Sequence, residues 1–297
     1  MARHFLWRVS QAALAAAGSA LCLAGAGYQT DVSLPAYASR QAADDLEVTG
    51  LPGHAVEYVR LDDLLKLRLV HATVDDDPDY VGVTMHVTGV YLADLAKALG
   101  APKEDDLIDA LCTDKYRSHY PVDYIAAHHP IFVLQVDGVS PAEWAAKNRQ
   151  YDPGPYFVTY VHYVPSFHVL SHADQPALPT NVIRLNFSTQ AKTFGAIDPG
   201  AQYRENETVQ QGFTIAKQNC LRCHFMGAYG GTKSGETWMT LSRKALNHPA
   251  AFAAYIRDPK QENPQAEMPG NPQYDEATRA ALTAYFRTFS EAGLEKK

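Results

Sequence analysis

Cys220-Leu221-Arg222-Cys223-His224 is the stretch of this 297-residue chain whose residue types and spacing could do chemistry. Two thiols two residues apart, followed at once by histidine, suit covalent haem attachment. The thiols add across the two vinyl groups on one porphyrin edge, and the adjoining imidazole is held beneath the iron as its proximal ligand. A C-x-x-C pair also serves dithiol redox chemistry or half of a zinc site. The first needs neither the histidine nor a distant ligand, and the second needs another Cys or His pair at short spacing, which does not follow the motif in the sequence. Haem c at Cys220 and Cys223, with His224 on the iron, is the expectation.

A six-coordinate iron needs a ligand on its other face from a separate piece of chain. Met268 is the candidate, in Glu267-Met268-Pro269-Gly270 between Pro264 and Pro272, where the prolines keep the thioether on a loop. A lone methionine otherwise fills a gap in a core, and His248 is the rival ligand. A Met/His pair raises the iron potential relative to two histidines and leaves no open position, so such an iron passes electrons without activating dioxygen or peroxide. With Met268 unbound, the open position would suit a haem sensor or a peroxidase.

The elements that must position these groups can be read around them. Glu207 to Asn219 predicts a helix with Val209, Phe213 and Ala216 on one face and Gly212 eight residues before Cys220. Asp275 can cap a helix running to about Phe289, with Ala281, Leu282, Tyr285, Phe286 and Phe289 at helical spacing. The two would cross over the haem, glycine allowing close approach and Tyr285 filling the space beside it. His248-Pro249 starts a short helix bearing Phe252, Tyr255 and Ile256, which Pro259 stops. With these features, residues 203–297 resemble a class I cytochrome c, which implies an all-α domain. The resemblance covers about a third of the chain and implies thioether links at Cys220 and Cys223 and axial ligation by His224 and Met268. One position departs from it: many members carry an aromatic residue four positions before the first haem cysteine, where this chain has Ala216, so a different packing of the helix crossing is expected.

At the other end, Arg3 and Arg8 precede an apolar run from about Ala12 to Ala26, and Ala24-Gly25-Ala26 offers small residues before a cut ahead of Gly27. Residues 1–26 read as an export signal, too short for a comfortable membrane span. Cys22 follows the bulky Leu21, which speaks against a lipoprotein. Haem c is attached outside the bacterial cytoplasmic membrane, so signal and motif agree on a periplasmic location. Cys22 leaves with the signal, which makes Cys112 a lone thiol, read as a small buried hydrophobe. No structural disulfide is expected.

Residues 203–297 hold 12 Lys and Arg against 10 Asp and Glu, so the haem segment is +2 and residues 1–202 are −9 within the formal −7. With no basic stripe, nucleic-acid binding is not expected, and membrane contact is not indicated. Residues 27–55 read as a leader and 56–190 as an α+β domain. Leu67 to Thr73, Tyr80 to Thr88, Ile131 to Val136, Tyr156 to Val164 and Asn181 to Phe187 read as strands. Asp137-Gly138 reads as a turn, and Leu92, Leu95, Ala96 and Leu99 as a helix face ended by Gly100. This region resembles the molybdopterin-binding domain of the sulfite oxidase family in Val87 to Leu95, Ile131 to Gly138, Gly154-Pro155 and Val182 to Leu185. The family's molybdenum-binding cysteine lies ahead of the segment matched by Gly89 to Leu95, where this chain has none, and Cys112 falls too late. The expectation is the scaffold without molybdopterin.

His128-His129 and the set His162, His168 and His172 are read as hydrogen-bonded or surface groups rather than metal ligands. Asp75 to Asp79 is read as a solvated turn, and Tyr116 to Tyr120 as a segment able to meet an anion or a partner. The functional expectation is a periplasmic one-electron carrier whose acidic N-terminal domain docks a redox partner protein. The alternatives are a subunit of a haem oxidoreductase, a molybdenum-dependent sulfite-oxidase-type dehydrogenase, and a haem sensor or peroxidase.

Overall fold

The computed structural model describes residues 33–53 and 56–294, so the expected export signal and Cys22 lie outside the described residues. In chain order come β1 (Leu46–Thr49), β2 (Glu57–Val59), the one-turn α1 (Leu61–Leu64), β3 (Val70–Val74), β4 (Met85–Tyr91) and α2 (Leu92–Ala98). Next are β5 (Leu107–Cys112), β6 (Arg117–Pro121), α3 (Val122–His128), β7 (Ile131–Val136), α4 (Pro141–Asn148) and β8 (Phe157–Thr159). The ribbon of β9 (His168–Val169) and β10 (His172–Ala173) precedes β11 (Val182–Ser188) and α5 (Gln190–Gly195). The C-terminal part comprises α6 (Glu207–Asn219), the ribbon β12 (Phe225–Met226) and β13 (Tyr229–Gly230), α7 (Trp238–Asn247), α8 (Pro249–Arg257), α9 (Pro259–Glu262) and α10 (Glu276–Leu294).

The architecture is mixed α/β with two main sheets. One has the order β2-β1-β11-β5-β6, with β1 parallel to β11 and the other neighbours antiparallel. The other is the antiparallel β3-β4-β7-β8. Side chains alternate across the second sheet: Phe132, Leu134 and Val158 face the core shared with the first sheet. Ile131, Val133 and Phe157 face the layer under Trp144 of α4. A bulge between Thr88 and Gly89 breaks the β4–β7 register, and a Cβ on Gly89 would fall on the Phe132 carbonyl.

Two readings need correction here. Leu46–Thr49, within the expected leader, forms β1 between β2 and β11, with Leu46 and Val48 fully buried. Four residues are too few for periodicity to show a strand. The half-buried strand expected over Tyr156 to Val164 is shorter: only Phe157–Thr159 pairs, and Tyr156 to Tyr160 are buried on both faces.

The C-terminal helices build a core of their own from Val209, Ile215, Leu221, Trp238, Leu241, Phe252, Leu282, Tyr285 and Phe286, joined by Leu107 of β5 and by Phe194 and Ile197. The β12–β13 ribbon interrupts an otherwise helical segment that was expected to be all-α. Asn206 caps α6 by accepting from the Val209 amide at 3.1 Å, and Asp275 caps α10 by accepting from the Thr278 amide at 2.8 Å. At their crossing Gly212 has no room for a side chain, since a Cβ would overlap the Ala281 carbonyl and lie 2.7 Å from Tyr285 Cβ. Ala216 is fully buried, and the aromatic contact between the helices comes from Phe213 on Tyr285, with ring centroids 5.7 Å apart.

Candidate functional site

The C-x-x-C-H motif continues from the end of α6 as one further turn. The Cys223 and His224 amides both donate to the Cys220 carbonyl, at 3.2 and 2.9 Å. Gly230 and Gly231 lie directly on this turn: the Gly231 amide donates to the Leu221 carbonyl at 2.8 Å, and a Cβ at either glycine would overlap a motif carbonyl.

His224 is buried, and its ring is held at Nδ1, which lies 3.2 Å from the Glu236 carbonyl and 2.9 Å from Ser234 Oγ. A carbonyl only accepts, so Nδ1 carries the proton. Ser234 spends its own hydroxyl proton on the Cys223 carbonyl at 2.9 Å, so its oxygen also accepts from Nδ1. Nε2 is left with its lone pair, the arrangement that prepares a histidine to bind metal. Burial lowers the pKa of the ring, against the Glu236 carbonyl and carboxylate, which favours the neutral imidazole a metal requires.

Cys220 and Cys223 are half-buried free thiols. Burial, helped by the neighbouring Cys223, pushes the Cys220 thiol up to about 12, and burial also raises Cys223 against the pull of Lys233. A catalytic dithiol needs the opposite, a thiol pKa brought down toward neutrality. Among the described residues no group of three or more His, Cys, Asp or Glu is placed to hold a metal ion.

Met268 sits on the loop between α9 and α10, half-buried against the same apolar cluster as Cys220. Asn271 pins this loop to the end of α8: its amide donates to the Ile256 and Arg257 carbonyls at 3.2 and 3.0 Å, and its Nδ2 to Ile256 at 3.2 Å. His248, the rival ligand, is exposed at the junction of α7 and α8. Two thiols, a histidine with Nε2 to give, a loop methionine and an apolar wall are together what a covalently held haem would use.

The N-terminal part touches the motif directly. The Arg117 amide of β6 donates to the Arg222 carbonyl at 2.9 Å, the Thr232 amide donates to the Lys115 carbonyl at 3.1 Å, and Lys233 pairs with Asp114 at 2.6 Å. The Arg222 guanidinium, between the two cysteines, reaches the Pro176 and Gln175 carbonyls at 3.4 and 3.5 Å, within the electrostatic reach of Tyr116, Tyr120, Tyr124 and Tyr160. The segment expected to meet an anion or a partner therefore lies against the motif.

A polar chain that the sequence did not reveal crosses the same junction. His128 Nε2 lies 2.8 Å from Asp174, which also accepts from Gln218 of α6. The Gln218 carbonyl oxygen accepts from His172 Nε2 at 2.6 Å, so His172 Nδ1 accepts from the Tyr274 hydroxyl at 2.8 Å. Asn219, next to Cys220, donates to that hydroxyl at 2.6 Å. Burial lowers the His172 pKa, opposed by its bond to Gln218. His162 and His168 point into solvent. Asp77 is the exception to the solvated Asp75 to Asp79 turn: it is buried and accepts from Thr159 at 2.6 Å.

A cavity of about 440 Å³ adjoins the motif and is bordered by Cys112, Asp79, Asp114, Tyr116, Tyr151 and Lys233. Cys112 is buried, and burial raises its thiol pKa, with Asp114 adding to the rise. Molybdopterin carries a phosphate and would need cationic ligands. This cavity offers two carboxylates and a lysine already paired with one of them, a donor set that does not fit that group.

No protein-family model matches the sequence, and no curated protein matches it. Among solved structures, the sulfane dehydrogenase SoxCD from Paracoccus pantotrophus is similar, with a TM-score of 0.36 and 15% sequence identity over 51% of this chain and 40% of that one. This chain thus spans less than half the length of that protein.

Proposed function

We propose that this chain is a periplasmic c-type cytochrome that carries single electrons, with haem c held by Cys220 and Cys223 and its iron by His224 and Met268. The observation that carries the reading is the pair of contacts from His224 Nδ1 to the Glu236 carbonyl and Ser234 Oγ, which leave the lone pair on Nε2, in a motif with two free thiols. When bound, the haem would supply a one-electron iron couple. The chain's own residues do the rest. Glu236 and Ser234 orient the ring, its burial keeps it neutral, and the Asn271 bonds hold the Met268 loop against α8. The wall of Trp238, Leu282 and Tyr285 excludes water, and the hairpin of β5 and β6 fixes the motif from the N-terminal side. The acidic N-terminal part serves partner docking.

Expression in cells competent for haem c maturation tests this directly. The expected product keeps its colour through acid extraction, contains about one iron and no molybdenum per chain, and loses the covalent pigment in a Cys220→Ser, Cys223→Ser double variant. A colourless exported product overturns the proposal. The 440 Å³ cavity beside the motif favours a second reading, an oxidoreductase subunit acting on a small molecule. Stoichiometric molybdenum in the purified protein would select the dehydrogenase form of that reading.

A further inference from the structure

The segment from Val161 to Pro176 is turned inside out relative to ordinary surface chain. Its inward groups are polar: Tyr163 stacks on His128 at 4.5 Å, Ser166 and Asp174 bond at 2.7 Å, and His172 reaches Gln218. Its outward groups include four large apolar side chains beside the exposed His162 and His168: Val161, Val164, Phe167 and Leu170 are 47%, 59%, 36% and 40% exposed. Four large apolar side chains exposed within ten residues, over a polar inner layer, mark an interaction surface.

Two further observations specify what the surface meets. The first is position: the same segment supplies the carbonyls of Gln175 and Pro176 to Arg222 and, through His172 and Asp174, bonds to Gln218, so the apolar face lies one layer above the haem-attachment turn. The second is charge. His162 lies 3.4 Å from Asp76, which places the exposed Asp75, Asp76 and Asp79 at the border of the patch. No Lys or Arg occurs from Leu69 to Ala96 or from Gln150 to Ile183, the stretches that form patch and border.

We infer that this face is the docking surface for a basic redox protein, one presenting an apolar contact ringed by Lys or Arg. The acidic border would repel both a second copy of the chain and an anionic membrane, while steering a cationic partner. The inference rests on the proposed electron-carrying function and names where that partner binds.

The test uses the full matured chain and a basic mitochondrial cytochrome c as probe, with binding followed by calorimetry and electron exchange by stopped flow. Binding is expected to weaken about tenfold or more in a Val164→Asp, Phe167→Asp double variant and in an Asp75→Lys, Asp76→Lys double variant, and to fall with added salt. A Glu104→Lys, Glu205→Lys double variant, an equal charge change at exposed sites outside these stretches, is expected to leave it unchanged. The exchange rate should fall with the affinity. No binding at low salt, or equal binding by all variants, overturns the inference. A dimer in sedimentation that dissociates in the Val164→Asp, Phe167→Asp variant would assign the patch to a second copy instead and also overturn it. A colourless protein that still binds through the patch would sink the haem reading alone, whereas a coloured one with unaltered binding would sink only the docking surface.

Discussion

Asp174 gathers four hydrogen bonds on one carboxylate: from His128 Nε2, from the Ser166 amide and hydroxyl, and from Gln218. Burial alone would push its pKa up, but the bonds from Ser166 and Gln218 outweigh it, and the group sits below the usual carboxylate range. A carboxylate with a depressed native pKa adds stability that is complete above its unfolded value of about 4 and is lost as pH falls through the native value. Asp174→Ala is therefore expected to cost about 3 kcal/mol at pH 7, since it strands a buried histidine and a glutamine as well. The gap from the parent chain should narrow progressively below pH 4. Urea denaturation across this range measures it, and a gap of constant size would mean that Asp174 is not charged in the fold. Such residues were hidden in the sequence for a plain reason: His172 and Tyr274 stand 102 positions apart and His128 and Asp174 46 apart. Cys220, Cys223 and His224, by contrast, lie within five residues on one turn closed on the Cys220 carbonyl, so their grouping could be read directly.

Among elements, the crossing of α6 and α10 is the most constrained. The Gly212 backbone lies against the Ala281 carbonyl, so even Gly212→Ala must push the helices apart, against the gain alanine ordinarily brings to a helix interior. We expect this substitution to lower unfolding free energy by about 2 kcal/mol, and Gly212→Val by more. Guanidinium unfolding reads the loss, and a neutral or stabilising Gly212→Ala would show that the helices cross elsewhere. The helices α6, α8 and α10 were legible from their apolar spacing, joined in α10 by the capping Asp275 and in α8 by Pro249 at its start and Pro259 after its end. So was β7, an apolar run ended by a turn with positive φ at Asp137 and Gly138. The strands β5 and β6 were not. Leu107, Asp109 and Leu111 face one way and Ile108, Ala110 and Cys112 the other, and burial of both faces erases the polar alternation that marks a strand. In β6 the buried partners are Ser118 and Tyr120, types that do not announce a core. The 161–164 stretch continues the alternation of β8 into a segment that has left the sheet, which is why the pattern overran the strand.

For the whole molecule, the motif is held from two sides, and its stability belongs to both. Leu107 leaves the N-terminal sheet to pack among Val209, Ile215 and Tyr285, while Tyr285 donates to the Ile197 carbonyl at 2.6 Å. The Arg117–Arg222 and Lys115–Thr232 backbone bonds join the β5–β6 hairpin to the motif turn, and the described residues fall in one compact unit. Parts that share a core cannot unfold independently without exposing it, so calorimetry of the full chain should give one cooperative transition. Leu107→Ala sharpens the test, because it deletes a fully buried side chain from a strand while the void opens among the helices. The substitution should cost about 3 kcal/mol. Its effect should move the sheet and the C-terminal helices together: fluorescence from Trp144 in a Trp238→Phe background and from Trp238 in a Trp144→Phe background would shift to the same lower midpoint. Two resolved endotherms, with only the later or the earlier one displaced by Leu107→Ala, would show instead that the helical segment is an independent module resting on the sheet.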